Sequence, residues 1–160
     1  MKELVVIAEK EELKLVKDLG YVTYPIIITG VGALNVIEAL KDVPKDTKII
    51  NIGYAGSKDL EPGQFYMVDC VTLYHPNVPY FEPLYHIKKD SPYGNVLDDQ
   101  FETRTCYTGS DFVLETKLGN CLFDMELAYI AALGFESILA FKYVSDNLDL
   151  QEYRHNFNEK

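Results

Sequence analysis

The sequence predicts an α/β fold in which strands alternate with helices and the strand ends carry the chemistry. Two observations predict it. Short apolar, β-branched runs at 4–8, 25–29, 48–52, 65–74, 104–109 and 137–144 have the length of strands rather than helices, and helix-forming segments stand beside them. Five of these runs also end in a candidate site element. These are Glu11 and Glu12, Gly30 and Gly32, the 53–56 stretch, the 110–113 stretch, and Ser145 with Asp146. If the strands are largely parallel, those five ends share one edge of the sheet, where open α/β sheets collect ligands.

The elements follow in chain order. Residues 4–8 read as a strand feeding a helix over 9–19, with apolar positions at Leu13, Leu15, Val16 and Leu19 and a stop at Gly20. Glu11 and Glu12 fall at the corner between them, a placement that dipole complementation alone would also favour. The β-branched run 25–29 enters Thr29-Gly30-Val31-Gly32, and a helix starts near Ala33. Two glycines there allow a tight turn and a close approach of ligand to backbone amides at a helix N-terminus. The full dinucleotide-binding pattern is absent, which excludes a Rossmann cofactor site, and no cofactor or metal is expected.

A third strand over 48–52 enters a glycine-rich corner, Gly53-Tyr54-Ala55-Gly56, and Pro62-Gly63 punctuates the turn before the long strand 65–74. Residues 75–95 carry prolines at 76, 79, 83 and 92 and read as a loop or lid over something apolar. A strand over 104–109 leads to Ser110-Asp111-Phe112-Val113. Asp124 is a good N-cap for a helix over 125–133, with Gly134 as its left-handed stop. Glu126 then lies in a first helical turn, where the dipole favours its ionised form. Asp146 stands just past the strand 137–144, and the chain after it holds a short polar helix at most. No repeat, linker or boundary divides residues 1–160, so one domain is expected.

Composition narrows the function. The 160 residues include 25 Asp and Glu against 15 Lys and Arg, a formal net charge of -10, which excludes a phosphate-tracking nucleic-acid surface. Neither a spanning apolar run nor a basic amphipathic stretch for a membrane surface occurs, and the opening MKELVVIAEKEE is not a signal peptide. The three cysteines, Cys70, Cys106 and Cys121, lack Cys-x-x-Cys spacing and read as small hydrophobes in a reducing cytoplasm. His75, His86 and His155 show no metal-ligand spacing.

Four segments carry a resemblance: VVIAEKEEL, ITGVGALNV, IINIGYAGSKDLEPGQFYMVDCVTLYH and CLFDMELAYIAALGFESILAFKYVSDNLD. In this order they resemble the purine nucleoside phosphorylase superfamily, and most of all its methylthioadenosine/S-adenosylhomocysteine nucleosidases. Met125-Glu126 and Ser145-Asp146 stand where that family has its Met-Glu and Ser-Asp pairs. The resemblance implies a three-layer αβα domain with a mixed, twisted sheet, and an enzyme that cleaves the N-glycosidic bond of a purine nucleoside. It implies Asp146 as the acid toward the purine N7, Glu126 as the clamp on the ribose hydroxyls, and Glu12, with Glu11 its neighbour, as the base for the attacking water. Met125 would pack on the sugar, Gly53, Tyr54 and Ala55 would approach base and sugar, and Phe112 and Val113 would stack on the base. It also implies a homodimer, for which the tyrosine-rich 75–93 region is the candidate contact surface.

This chain departs from the family pattern in three places. It is shorter, between His75 and Cys106 and after Asp146. Tyr54 replaces a small residue and is expected to fill part of the pocket or to bond the ligand. Lys142 stands where relatives often have arginine. As a cation in a buried strand Lys142 needs a partner, expected to be Glu12 or Glu126, either as a ligand contact or only to position a carboxylate. A phosphorylase would want an arginine clamp that Arg104 and Arg154 do not build, so hydrolysis is favoured. The alternatives are a phosphorylase holding phosphate on the amides of Gly30 and Gly32, and a binding relative without turnover. Arg154 is a further candidate to sit over Asp146.

Overall fold

The computed structural model describes residues 2–75, 85–86 and 101–149. Among these, eight strands run in the order β1 (Glu3–Ile7), β2 (Ile26–Ile28), β3 (Lys48–Gly56), β4 (Phe65–Leu73), β5 (Tyr85–His86), β6 (Thr103–Thr108), β7 (Leu122–Asp124) and β8 (Ser137–Asp146). Three helices, α1 (Leu13–Leu19), α2 (Ala33–Leu40) and α3 (Leu127–Ala132), follow β1, β2 and β7. Residues Lys10–Glu12 form a 3-10 turn that feeds α1, so the helix expected over 9–19 starts tighter than an α-helix.

The sheet is mixed. β1 pairs in parallel with β2 and β3, and β3 pairs in parallel with β8 along its whole length. β4 then runs antiparallel to β8 and parallel to β6, which is parallel to β7. β7 returns to β3 through one antiparallel pair, Phe123 with Gly56. Five strands therefore close a ring, β3–β8–β4–β6–β7–β3, from which β1 and β2 extend as an open wing.

Side-chain alternation along the strands builds a core on each face of the sheet. Val6, Ile49, Ala55, Ile138, Ala140 and Val144 join Val36 and Leu40 of α2 and Leu127 and Ile130 of α3. Val5, Ile7, Ile50, Ile52, Leu139 and Phe141 join Leu15 and Val16 of α1 on the other face. The result is helix, sheet, helix: the three-layer αβα architecture.

Several boundaries differ from the sequence expectation, each for a tertiary reason. The 53–56 stretch is not a corner but the end of β3, because β8 lies alongside and pairs Gly53 with Lys142, Tyr54 with Tyr143 and Ala55 with Val144. Ser145 and Asp146 belong to β8 for the same reason, across a register shift at Gly56. Residues before α3 form β7, a strand the sequence did not announce, and α3 is shorter than expected, with Glu126 at its N-cap. Gly134 has the expected left-handed φ of 86° just beyond that helix.

Within the expected loop 75–95, residues 85–86 pair with β4, while 76–84 and 87–95 lie outside the described residues. Most of the expected dimer surface, the C-terminal helix, Arg154 and His155 also lie outside them. No helix of the described residues is long and apolar enough to cross a membrane. All three cysteines are free; Cys106 and Cys121 are buried and Cys70 half-buried.

Candidate active site

The strands β1, β2, β3 and β8 are mutually parallel, so their carboxyl ends meet on one edge. β6 belongs to the other half of the sheet, and closure of the ring through Phe123 and Gly56 brings its trailing loop to the same edge. There a cavity of about 270 Å³ opens, lined by residues that include Glu12, Tyr54, Ala55, Phe112, Met125, Glu126 and Asp146. A hollow of about 30 Å³ adjoins it, lined in part by Phe112, Val113, Phe123 and Leu148.

Glu12 is buried and accepts three backbone N–H groups. Oε1 takes Ala8 at 2.8 Å and Glu9 at 3.1 Å, and Oε2 takes Tyr54 at 2.9 Å. Burial pushes its carboxyl above the ordinary 4.5, against the pull of Lys142 and of those N–H donors. Gly53 is the place where this carboxylate meets the sheet. A Cβ there would stand 2.8 Å from Glu12 Oε2 and 3.3 Å from Lys142 Nζ. Gly53 is not among the residues lining the cavity; it makes room for Glu12.

Lys142 is fully buried, and its partner is neither Glu12 nor Glu126. Its Nζ lies 3.0 Å from Asp124 Oδ2. Burial alone would raise the Asp124 carboxyl, but Lys142, the Thr108 hydroxyl and the Leu127 N–H hold it below the ordinary 3.8. Asp124 Oδ1 accepts from Thr108, and Oδ2 accepts the Leu127 N–H at 2.8 Å; Asp124 thus bonds the first N–H of α3 from the end of a strand, while the N-cap is Glu126 and not Asp124 as expected. Burial disfavours the charge on Lys142, yet the carboxylates around it raise its pKa above the ordinary 10.5. Lys142 and Ser145 stand behind the wall of the cavity rather than in it.

Glu126 is not in a first helical turn. At the N-cap, with φ of -133°, it accepts the Gly32 N–H on Oε2 at 3.0 Å. Burial first, then the Asp124 charge, pushes its pKa up to about 8, which reverses the expected ionising effect of the helix. The same contact occupies one of the amides considered for phosphate, and the other, Gly30 N–H, donates to Ala8 at 2.9 Å.

Asp146 is fully buried. Ser145 Oγ donates to Oδ1 at 2.7 Å and the Leu148 N–H donates to Oδ2 at 2.9 Å. Asn147 anchors this end of β8 by donating to the carbonyls of Ser57 and Leu60 at 2.9 and 2.8 Å. A Cβ at Gly56 would stand 3.0 Å from Asp146 Oδ2, so this glycine is set by space.

Tyr54 lines the cavity and is at the same time part of the core. Its ring packs edge-on against Tyr143, at 5.9 Å between centroids, within the core under α1. Arg104 is engaged elsewhere, donating to Asn120 at 2.9 Å and to the Thr103 carbonyl at 2.8 Å. The sequence reading passed over Glu9, Val31, Phe123 and Asp124, which all line the cavity. The one available signal was Lys142, a buried cation that requires a buried anion.

No protein-family model and no curated protein sequence matches the chain. Solved structures do. The MTAN of Chlamydia trachomatis is 17% identical with a TM-score of 0.72, covering 98% of this chain and 89% of that one. The 5′-methylthioadenosine/S-adenosylhomocysteine nucleosidase of Helicobacter pylori is 15% identical with a TM-score of 0.73, covering 98% and 91%. The futalosine hydrolase of Helicobacter pylori is 17% identical with a TM-score of 0.70, covering 99% and 89%. The chain has the nucleoside phosphorylase fold, in the form taken by the methylthioadenosine/S-adenosylhomocysteine nucleosidases.

Proposed function

We propose that this protein hydrolyses the N-glycosidic bond of a purine nucleoside. The observation that carries the reading is one cavity onto which three elements bring three carboxylates: Glu12 from the turn after β1, Glu126 from the start of α3, and Asp146 from the end of β8. The fold adds support, since its neighbours include nucleosidases and a structure of the Chlamydia trachomatis MTAN holds adenine.

In this reading Asp146 gives its proton to N7 as the bond from C1′ to the base breaks, so that the purine leaves as a neutral base. Such general acid help is typically worth about 10²–10⁴-fold. Glu12 takes the proton of the water that attacks C1′, and its three backbone donors fix the direction of its lone pairs. Glu126, which burial holds largely protonated before ligand arrives, holds the ribose hydroxyls and in its ionised form offers negative charge to the developing oxocarbenium ion in a dry site. Met125 packs on the sugar, and Phe112 with Val113 forms the face for the base.

Hydrolysis is favoured over phosphorolysis because the amides of Gly30 and Gly32 already have acceptors, and no Arg or Lys lines the cavity among the described residues. The test is base release from methylthioadenosine, S-adenosylhomocysteine, adenosine, inosine and guanosine, with and without phosphate. Phosphate-independent release that falls at least about a hundredfold in Asp146→Asn is expected. Strict phosphate dependence would select a phosphorylase, and binding without release would select a non-catalytic relative.

A further inference from the structure

A lysine in the middle of a buried strand calls for an explanation that stability does not supply. Lys142 lies between Phe141 and Tyr143 in β8 and is 1% exposed. Its ion pair with Asp124, at 3.0 Å, is buried on both sides. Desolvating two charges offsets most of their attraction, so a buried pair is often no more stable than two apolar side chains of the same size. What the pair does is set by the groups its charges face.

The ammonium faces carboxylates on two sides. On one side is Asp124, whose Oδ2 also accepts the Leu127 N–H at 2.8 Å and the Glu126 N–H at 3.4 Å. On the other side is Gly53, the cross-strand partner of Lys142. A Cβ on that glycine would stand 3.3 Å from Lys142 Nζ and 2.8 Å from Glu12 Oε2, so the two charges lie within about 6 Å of each other. At that range an opposite charge acts strongly on a buried carboxylate. From the elements packed here, Asp124 of β7, Cys106 of β6, Glu126 at the start of α3 and Glu12 face the ammonium. Glu12 in turn faces Lys142, Glu126 and the Tyr54 phenol. Lys142 does not line the cavity, so it reaches the reaction only through these neighbours.

Resting on the nucleosidase reading above, we propose that Lys142 is a positioning residue: its ammonium, held by Asp124, favours the ionised form of Glu12 that takes the proton of the attacking water. Three backbone N–H donors aim the Glu12 carboxylate, and the cation behind Gly53 supplies the net charge that those donors lack. Asp124 sets how much of that field Glu12 receives, because a carboxylate 3.0 Å from Nζ cancels part of it.

The experiment follows the Glu12 carboxyl carbon by NMR titration of the full chain, assigned by its loss in Glu12→Gln. The pH profile of kcat/KM is measured beside it, for base release from the five nucleosides named above. Lys142→Met is expected to raise the Glu12 midpoint by about one pH unit or more, and Asp124→Asn to lower it. The acid limb of the rate profile should move with the midpoint, about tenfold in kcat/KM per unit on that limb. In the double variant the midpoint should lie above that of Asp124→Asn alone, which reads the lysine even where Lys142→Met, with its unpaired Asp124, does not fold. Lost packing would move both single variants in one direction or neither; either result overturns the proposal, as does a double variant that titrates like Asp124→Asn. The expected midpoints without base release by the parent uphold the hold of Lys142 on Glu12 and remove the nucleosidase. Base release with an unmoved Glu12 midpoint overturns the proposal and leaves the nucleosidase standing.

Discussion

At the scale of single residues, space and charge behind the cavity wall matter as much as the groups in it. Gly53 shows this. It looked like a place for ligand to approach, yet the group approaching it is the protein's own Glu12, 2.8 Å from where a Cβ would stand. Three backbone donors hold that carboxylate, so it cannot swing aside cheaply. Gly53→Ala should therefore cost about 1–3 kcal/mol of stability, as overpacking of a tight interior does, and should lower kcat/KM at least tenfold by moving Glu12. Urea melts and base release measure the two effects; a variant with full activity would show that Glu12 is not the base. That Glu12, Met125, Glu126 and Asp146 share one cavity was legible chiefly through the family resemblance, with strand-end position adding to it for Glu12 and Asp146. The partner of Lys142 was not legible. The sequence offered Glu12 or Glu126, and only the ring closure that brings β7 back to β3 puts Asp124 beside Lys142.

At the scale of elements, the long buried strands announced themselves and β7 did not. Three residues, Leu122–Asp124, are too few to show a period. Their fixing depends on Thr108 at the end of β6, whose hydroxyl donates to Asp124 and accepts the Ala128 N–H at 2.9 Å. One side chain thus joins β6, β7 and α3, all buried at this point. Thr108→Val keeps the shape but leaves that N–H and Asp124 each short of a bond. The expected cost is about 1–3 kcal/mol, read in denaturant melts, with a loss of nucleoside affinity because Glu126 rides on the start of α3. Unchanged affinity in a destabilised variant would mean that α3 does not need this anchor to present Glu126. The end of β3 was misread for a related reason: glycines suggest a corner locally, and only the neighbouring β8 makes Gly53 and Gly56 strand.

At the scale of the whole molecule, the described residues bury Glu12, Asp124 and Asp146 against Lys142, and stability must then depend on pH. Asp124 has its pKa lowered by Lys142, so its contribution is present above the ordinary 3.8 and is lost on acidification through the lowered value. Glu126 works in the opposite direction. Its folded pKa, about 8, lies above the ordinary 4.5, so the folded state holds a proton that the unfolded chain has released between those values. The contribution of Glu126 is therefore fully present below about pH 4.5 and drains away as pH rises to about 8. Glu126→Gln can still accept the Gly32 N–H but has no proton to lose. Measured by urea melts from pH 5 to 9, the stability of this variant relative to the parent should rise with pH up to about 8 and then level off. Parallel pH profiles for the two proteins would show that Glu126 is ionised throughout, and the negative charge offered to the sugar would then exist before any ligand arrives.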